Sequence, residues 1–198
     1  MKLSSDDALK LLNKYRDTED SSWIDHSICV GDTAGVIAKA LNLDSDKARA
    51  MGYIHDIGKG LDDFNSHIIN GYYYLKDLGY DIEYANVCLT HSYLNNDIIC
   101  TCGVDPDLIH YMKGYSYIKE FISNHEYTIY DKIINLCDLM CMSNVVTIDK
   151  RLIDVILRRG VFSNAQYHIT EIYKLKEYFD DLLGYNLYNL FPEIKDNL

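Results

Sequence analysis

The sequence predicts an all-α fold, a compact helical bundle, and three observations carry that prediction. Apolar residues recur at intervals of three, four and seven along most of the chain, which is the period of one face of an α-helix. Only 2 prolines occur in 198 residues, and proline breaks helix interiors. No segment sustains strict alternation of apolar and polar residues, so no sheet is expected.

The elements follow in order. Met1 to Arg16 is charged and amphipathic. Trp23, Val30, Ala34, Ile37, Ala38 and Leu41 mark a helix from Ser21 to Leu41, with Ser21 or Ser22 as its N-cap. Asp44 or Ser45 caps a second helix through Ala48, Met51 and Ile54, which Gly58 and Gly60 stop. A third runs from about Asp63 to Leu78 and ends at Gly79. A fourth, shorter, covers Glu83 to about Tyr93. Asn95, Asn96, Gly103 and Pro106 mark 94–106 as loop. Further helices are expected over 107–123, 128–143, 149–159 and 164–183.

Composition bounds the function. With 48% hydrophobic and 25% charged residues the chain is globular rather than disordered or collagen-like. A length near 200 predicts one domain, 1–198, whose core needs no disulfide staples. The net charge of −11 repels nucleic-acid backbones and anionic membranes, and no basic patch is visible to compensate. Neither nucleic acid nor membrane is therefore expected as a partner. An anionic substrate would need local positive charge, for which a metal ion is the obvious source. No stretch of 18 apolar residues and no signal sequence is present, so a cytoplasmic location is expected. The six cysteines, Cys29, Cys88, Cys100, Cys102, Cys137 and Cys141, then read as reduced thiols.

His26, His55, Asp56, His67, His91 and Asp138 carry the chemistry. His55 and Asp56 are adjacent where the second helix frays toward Gly58, so both can reach one centre. His26, His91 and Asp138 each sit beside an apolar helix face. Burying a carboxylate without a partner costs several kcal/mol, so something must neutralise it. Imidazole and carboxylate together suit a borderline or hard divalent metal. Four histidines and two aspartates are enough for two ions.

The order His26, then His55-Asp56-Ile57-Gly58-Lys59, then Asp138 resembles the H…HD…D pattern of the HD-domain metal-dependent phosphohydrolases. His67 and His91 fall where two-metal members carry extra histidines, and Asp131-Lys132-Ile133-Ile134 before Asp138 is similar to the family's last metal helix. The resemblance covers about residues 20–145 and leaves 146–198 as a C-terminal helical extension. It implies an HD-type bundle with a metal site between helices. It implies a first divalent ion on His26, His55, Asp56 and Asp138, and a second on Asp56, His67 and His91. One or two ions, of Fe, Mn, Ni, Co, Mg or Zn, fit this donor set. The implied reaction is cleavage of a phosphoester or phosphoanhydride, in a nucleotide or other small phosphorylated metabolite, by metal-activated water. Asp56 and Lys59 are the implied catalytic residues, with Lys59 on the substrate phosphate. Two rivals share the fold: a di-iron oxygenase, which needs the same six ligands, and a non-catalytic nucleotide-binding sensor, which usually loses some.

Plainer readings apply elsewhere. His110, His125 and His168 follow no motif and are expected at the surface or in structural roles. Cys100-Thr-Cys102 and Cys137-x-x-x-Cys141 match zinc-knuckle spacing poorly. Tyr72-Tyr73-Tyr74 suits helix packing better than base stacking. Arg158-Arg159 suits a solvated helix end complementing the dipole. Ile172, Leu175, Tyr178, Phe179 and Leu182 form a stripe that packs on the domain or on a second subunit, so an oligomer is open.

Overall fold

The computed structural model describes residues 1–17, 21–61, 66–102 and 104–197. The fold is all-α, as expected. Among the described residues the only extended pairing is an isolated antiparallel bridge between Cys141 and Val145. No helix among them is long and apolar enough to cross a membrane, and all six cysteines are free thiols.

The charged N-terminal segment forms α1 (Ser5–Asn13), capped by the Ser4 side chain, which accepts the Asp7 backbone N–H. It buries Ala8, Leu11 and Leu12 and packs on α3. The most extensive packing is between α2 (Ser22–Ala40) and α3 (Ser45–Ile54). Two glycines permit it: a Cβ on Gly52 would stand 2.4 Å from the Gly31 Cα. Asp44 is the N-cap of α3 and accepts the Lys47 backbone N–H.

α3 stops at Ile54, earlier than the glycines alone indicate, and a 3₁₀ turn takes up Ile57–Gly60. That turn presses on α4 (His67–Asp77). A Cβ on Gly58 would stand 1.9 Å from the His67 carbonyl oxygen. The expected helix start near Asp63 lies outside the described residues. α5 (Ile82–Thr90) packs along α4, and His91 is its C-cap.

Two expected helices are corrected. The span 107–123 is broken into a 3₁₀ turn at Ile109–Tyr111 and α6 (Tyr115–Asn124). Gly114 between them takes φ 78°, a left-handed conformation that glycine adopts without a Cβ clash. The helix expected over 128–143 is α7 (Ile129–Asp138), opened by a capping box between Thr128 and Asp131. It ends at Asp138 because the apolar residues Leu139, Met140 and Cys141 turn inward and are buried. α8 (Ile148–Arg159) and α9 (Ala165–Leu183) follow close to expectation. One apolar core cluster extends from Leu3 to Ile194 and includes Ile172 and Phe179 of α9.

Candidate metal centre

Five elements deliver the six candidate ligands to one place. His26 comes from the start of α2, and His55 and Asp56 from the end of α3. His67 opens α4, His91 caps α5, and Asp138 closes α7. Five of the six stand at helix ends, where the backbone turns and neighbouring side chains can converge.

The distances define two overlapping groups. His26 Nε2 lies 2.9 Å from Asp138 Oδ1, and His55 Nε2 lies 4.0 Å from the same oxygen. On the other side, Asp56 Oδ1 is 3.4 Å from His67 Nε2 and 3.5 Å from His91 Nε2. Asp56 Oδ2 is 3.4 Å from His55 Nε2 and accepts a hydrogen bond from Lys59 Nζ. Donor atoms of His26, His55 and Asp138 lie within 4.8 Å of one another, and so do those of His55, Asp56 and His91. His55 is common to both groups, and Asp56 meets it through Oδ2 while Oδ1 faces His67 and His91.

The imidazoles are aimed by backbone. His55 Nδ1 donates to the Gly52 carbonyl at 2.7 Å, and His91 Nδ1 to the Cys88 carbonyl at 3.0 Å. A carbonyl only accepts, so each Nδ1 carries the proton and each Nε2 is left facing the centre. Burial pushes the His91 pKa down to about 3, so the ring is neutral, as a ligand requires. Burial also lowers the pKa of His26 despite its contact with Asp138. For His55, burial is outweighed by the charges of Asp56 and Asp138, and its pKa is raised. Burial opposes charge on Asp56 as well, but Lys59 and His55 outweigh it and hold that carboxyl well below its ordinary value. Asp138 is likewise held down, against burial, by His26, His55 and His91.

The residues fit a divalent cation. His55 Nε2 and Asp56 Oδ1 are buried and have no hydrogen-bond partner, although they sit among four imidazoles and two carboxylates. Buried polar atoms without partners are costly. A cation between them satisfies both at once. No cysteine belongs to a metal-capable group among the described residues.

Several contributors escaped the sequence reading. Asn135, one turn before Asp138 on α7, is buried and donates from Nδ2 to the carbonyls of Thr90 at 2.9 Å and His91 at 2.7 Å. It ties the end of α5 to α7 and so fixes the His91 backbone. Its place three residues before Asp138 puts it on the same helix face, but nothing in the sequence shows which carbonyls it meets. His168, expected at the surface or in a structural role, is 2% exposed and lines the cavity over the centre. Arg158 and Arg159, expected at a solvated helix end, line that cavity too. The cavity holds about 840 Å³, and Asp56, Lys59 and His67 form part of its floor. His125 does have a structural role, with Nε2 3.4 Å from Asp131 Oδ2.

A family model described as HD domain matches residues 23–142. Ribonuclease Y of Thermosipho melanesiensis is 37% identical over 87 residues, 42% of this chain and 17% of that protein. Ribonuclease Y of Thermotoga maritima is 38% identical over 87 residues, with the same 42% and 17% coverage. Ribonuclease Y 2 of Bdellovibrio bacteriovorus is 27% identical over 116 residues, 59% of this chain and 18% of that protein. The chain thus spans less than a fifth of the length of these curated relatives. No solved structure matches it.

Proposed function

Since the chain belongs to the HD-domain family of metal-dependent hydrolases, we propose that it hydrolyses a phosphoester or phosphoanhydride in a nucleotide or other small phosphorylated metabolite. The observation that carries this reading is Asp56, a buried carboxylate with His55 beside one oxygen and His67 and His91 beside the other, which has no hydrogen-bond partner. His26, His55, Asp56 and Asp138 would hold one divalent ion, and Asp56, His67 and His91 a second. Bound there, the ions would supply an activated water and positive charge for a phosphate.

The remaining work falls to the chain. The Gly52 and Cys88 carbonyls hold the His55 and His91 rings in the tautomer that keeps Nε2 toward the centre. Asp56, fixed by Lys59, keeps the two groups in register. Lys59 lines the cavity, so its ammonium meets a phosphate entering over Asp56 and opposes the charge that develops there. The net charge of −11 gives an anion no long-range attraction, which leaves these local charges to bind it.

A second reading has one observation in its favour, the similarity to proteins named Ribonuclease Y. Under it the cleaved bond is a phosphodiester of RNA. Two tests separate the readings. Protein stripped with chelator and reloaded with Mn, Fe, Ni, Co, Mg or Zn is assayed on nucleoside phosphates, p-nitrophenyl phosphate and labelled RNA. Metal-dependent phosphate release from the small substrates supports the first reading. RNA cleavage with none from nucleotides supports the second. Oxygen consumption without phosphate release would contradict both and point to the oxygenase.

A further inference from the structure

We infer that α8 carries a second anion subsite, which selects nucleotides bearing a further phosphate apart from the one presented to Asp56 and Lys59. The inference rests on the hydrolase reading above for the first phosphate.

Arg151, Arg158 and Arg159 of α8 all line the cavity whose floor holds Asp56 and Lys59. All three lie beyond residues 23–142, the part shared with the family. In a chain of net charge −11, four of the 19 cationic residues, these three and Lys59, thus face one cavity. Asp154 is the carboxylate that answers them: its Oδ2 is 3.0 Å from Arg151 Nη1 and 2.5 Å from Arg158 Nη2. Three guanidinium charges against one carboxylate leave two positive charges unbalanced on this wall. Arg151 Nε is buried without a hydrogen-bond partner, and Arg159 forms no ion pair among the described residues.

Surface helix pairs and dipole complementation account for Arg158 with Asp154 at a helix end. They give no reason for the partly buried Arg151 to keep its buried Nε unused beside the cavity. A bound anion supplies the missing acceptor, and guanidinium is the group best shaped to hold a phosphate. The opposite helix contributes as well. His168 of α9 lines the same space, and its Nδ1 is buried without a hydrogen-bond partner. Burial pushes its pKa down to about 4, so at neutral pH it offers a hydrogen bond rather than charge.

Size and wall chemistry name the ligand class. A cavity of about 840 Å³ far exceeds one phosphate and lies within the range of about 300–1,000 Å³ typical of sites for whole organic ligands. Tyr111 lines it and is 77% exposed, with its ring centroid 3.9 Å from that of His110, so the pair puts an aromatic surface at the mouth. Bases stack on such faces. A nucleoside with phosphates at two positions satisfies the floor, the aromatic face and the arginine wall together. A short oligonucleotide presents the same chemistry.

Calorimetric binding to the metal-loaded protein tests this without requiring turnover. Adenosine 5′-monophosphate, adenosine 3′,5′-bisphosphate and the dinucleotide pApA serve as probes. The two-phosphate probes should bind wild type about 10- to 100-fold more tightly than the monophosphate. Arg158→Gln/Arg159→Gln should erase that preference while changing monophosphate affinity less than twofold and leaving metal content intact. Arg159→Gln alone, which breaks no ion pair, should lower the preference in the same direction, so a folding defect in the double variant does not decide the matter. A preference for pApA over the bisphosphate assigns the subsite to oligonucleotides, and the reverse assigns it to small nucleotides. Equal affinity of wild type for all three, or equal weakening of all three by the variants, overturns the subsite. An arginine-dependent preference in a protein that cleaves no phosphate bond would keep the subsite and remove the hydrolase reading. Cleavage of the monophosphate without that preference would do the opposite.

Discussion

At the scale of single residues, Asp56 is held from several sides. It is 2% exposed, faces three imidazoles and holds the Lys59 ammonium. Asp56→Asn keeps the shape but replaces an anion with a neutral amide that ligates poorly. We expect hydrolysis to fall by at least about a thousandfold with a near-native circular dichroism spectrum, and metal content to fall with it. Activity within tenfold of wild type would contradict a metal-holding role for Asp56. Asp131 is constrained for a different reason. Burial alone would raise its pKa, but hydrogen bonds from His125, Thr128 and Thr90 lower it below the ordinary value. A carboxyl with a depressed folded-state pKa contributes stability fully above its unfolded pKa of about 4 and loses it as pH falls through the folded value. Asp131→Ala removes a cap and leaves the buried Thr90 hydroxyl without its acceptor. The expected cost in denaturant unfolding at pH 7 is about 2–4 kcal/mol. The gap between variant and wild type should narrow below about pH 4, and a gap that stays constant into acid would contradict this assignment. That the six candidate ligands converge was legible through the order they share with the HD pattern, because a histidine on an apolar face taken singly is more often a satisfied core residue. Asn135 was not legible, because one amide on a helix announces nothing until the carbonyls of another helix stand opposite it.

At the scale of elements, helix ends build the site, and ends are what periodicity reports least well. The apolar period found α2, α8 and α9 within a residue or two. It ran α7 past Asp138 because Leu139, Met140 and Cys141 are as apolar as a continuing helix face, and only their burial in a turn distinguishes them. It merged the 3₁₀ turn at Ile109–Tyr111 with α6 because Gly114 breaks a helix through its φ, which composition does not specify. Gly58 shows what such a detail does for the site. The 3₁₀ turn after Asp56 touches the backbone of His67, and Gly58→Ala places a methyl carbon where no relaxation short of moving α4 can admit it. Overpacking of this kind costs about 1–3 kcal/mol. The element-level expectation is selective: α4 shifts, His67 leaves Asp56, and metal affinity at the His67–His91 side falls by about tenfold or more. Titration of the variant with Mn, read against wild type, checks this. Identical isotherms would mean that the turn does not position His67.

At the scale of the whole molecule, the apolar core runs without interruption from Leu3 in the N-terminal segment to Ile194 near the end of the chain. We therefore propose that residues 1–198 fold as one domain and that the extension beyond residue 145 is part of the bundle rather than an appendage. Thermal unfolding should be a single transition with coincident fluorescence and circular dichroism midpoints. Two resolved transitions would divide the chain. The stripe on α9 was legible because Ile172 and Phe179 repeat at helical spacing, and both are fully buried. The wall that α8 gives to the cavity was not legible, because Arg158 and Arg159 at a helix end look the same whether the end faces solvent or a ligand.

The account stands or falls on the six-residue centre, and metal stoichiometry tests it most directly. Wild type, His67→Ala/His91→Ala and His26→Ala/Asp138→Ala are stripped, reloaded with excess Mn or Fe under anaerobic conditions, desalted and analysed by mass spectrometry of the metals. The account predicts close to two ions per wild-type chain and close to one in the His67/His91 variant. The His26/Asp138 variant should hold fewer ions than wild type, and all three proteins should remain folded. Metal content that is the same, and well below one per chain, in all three would contradict it.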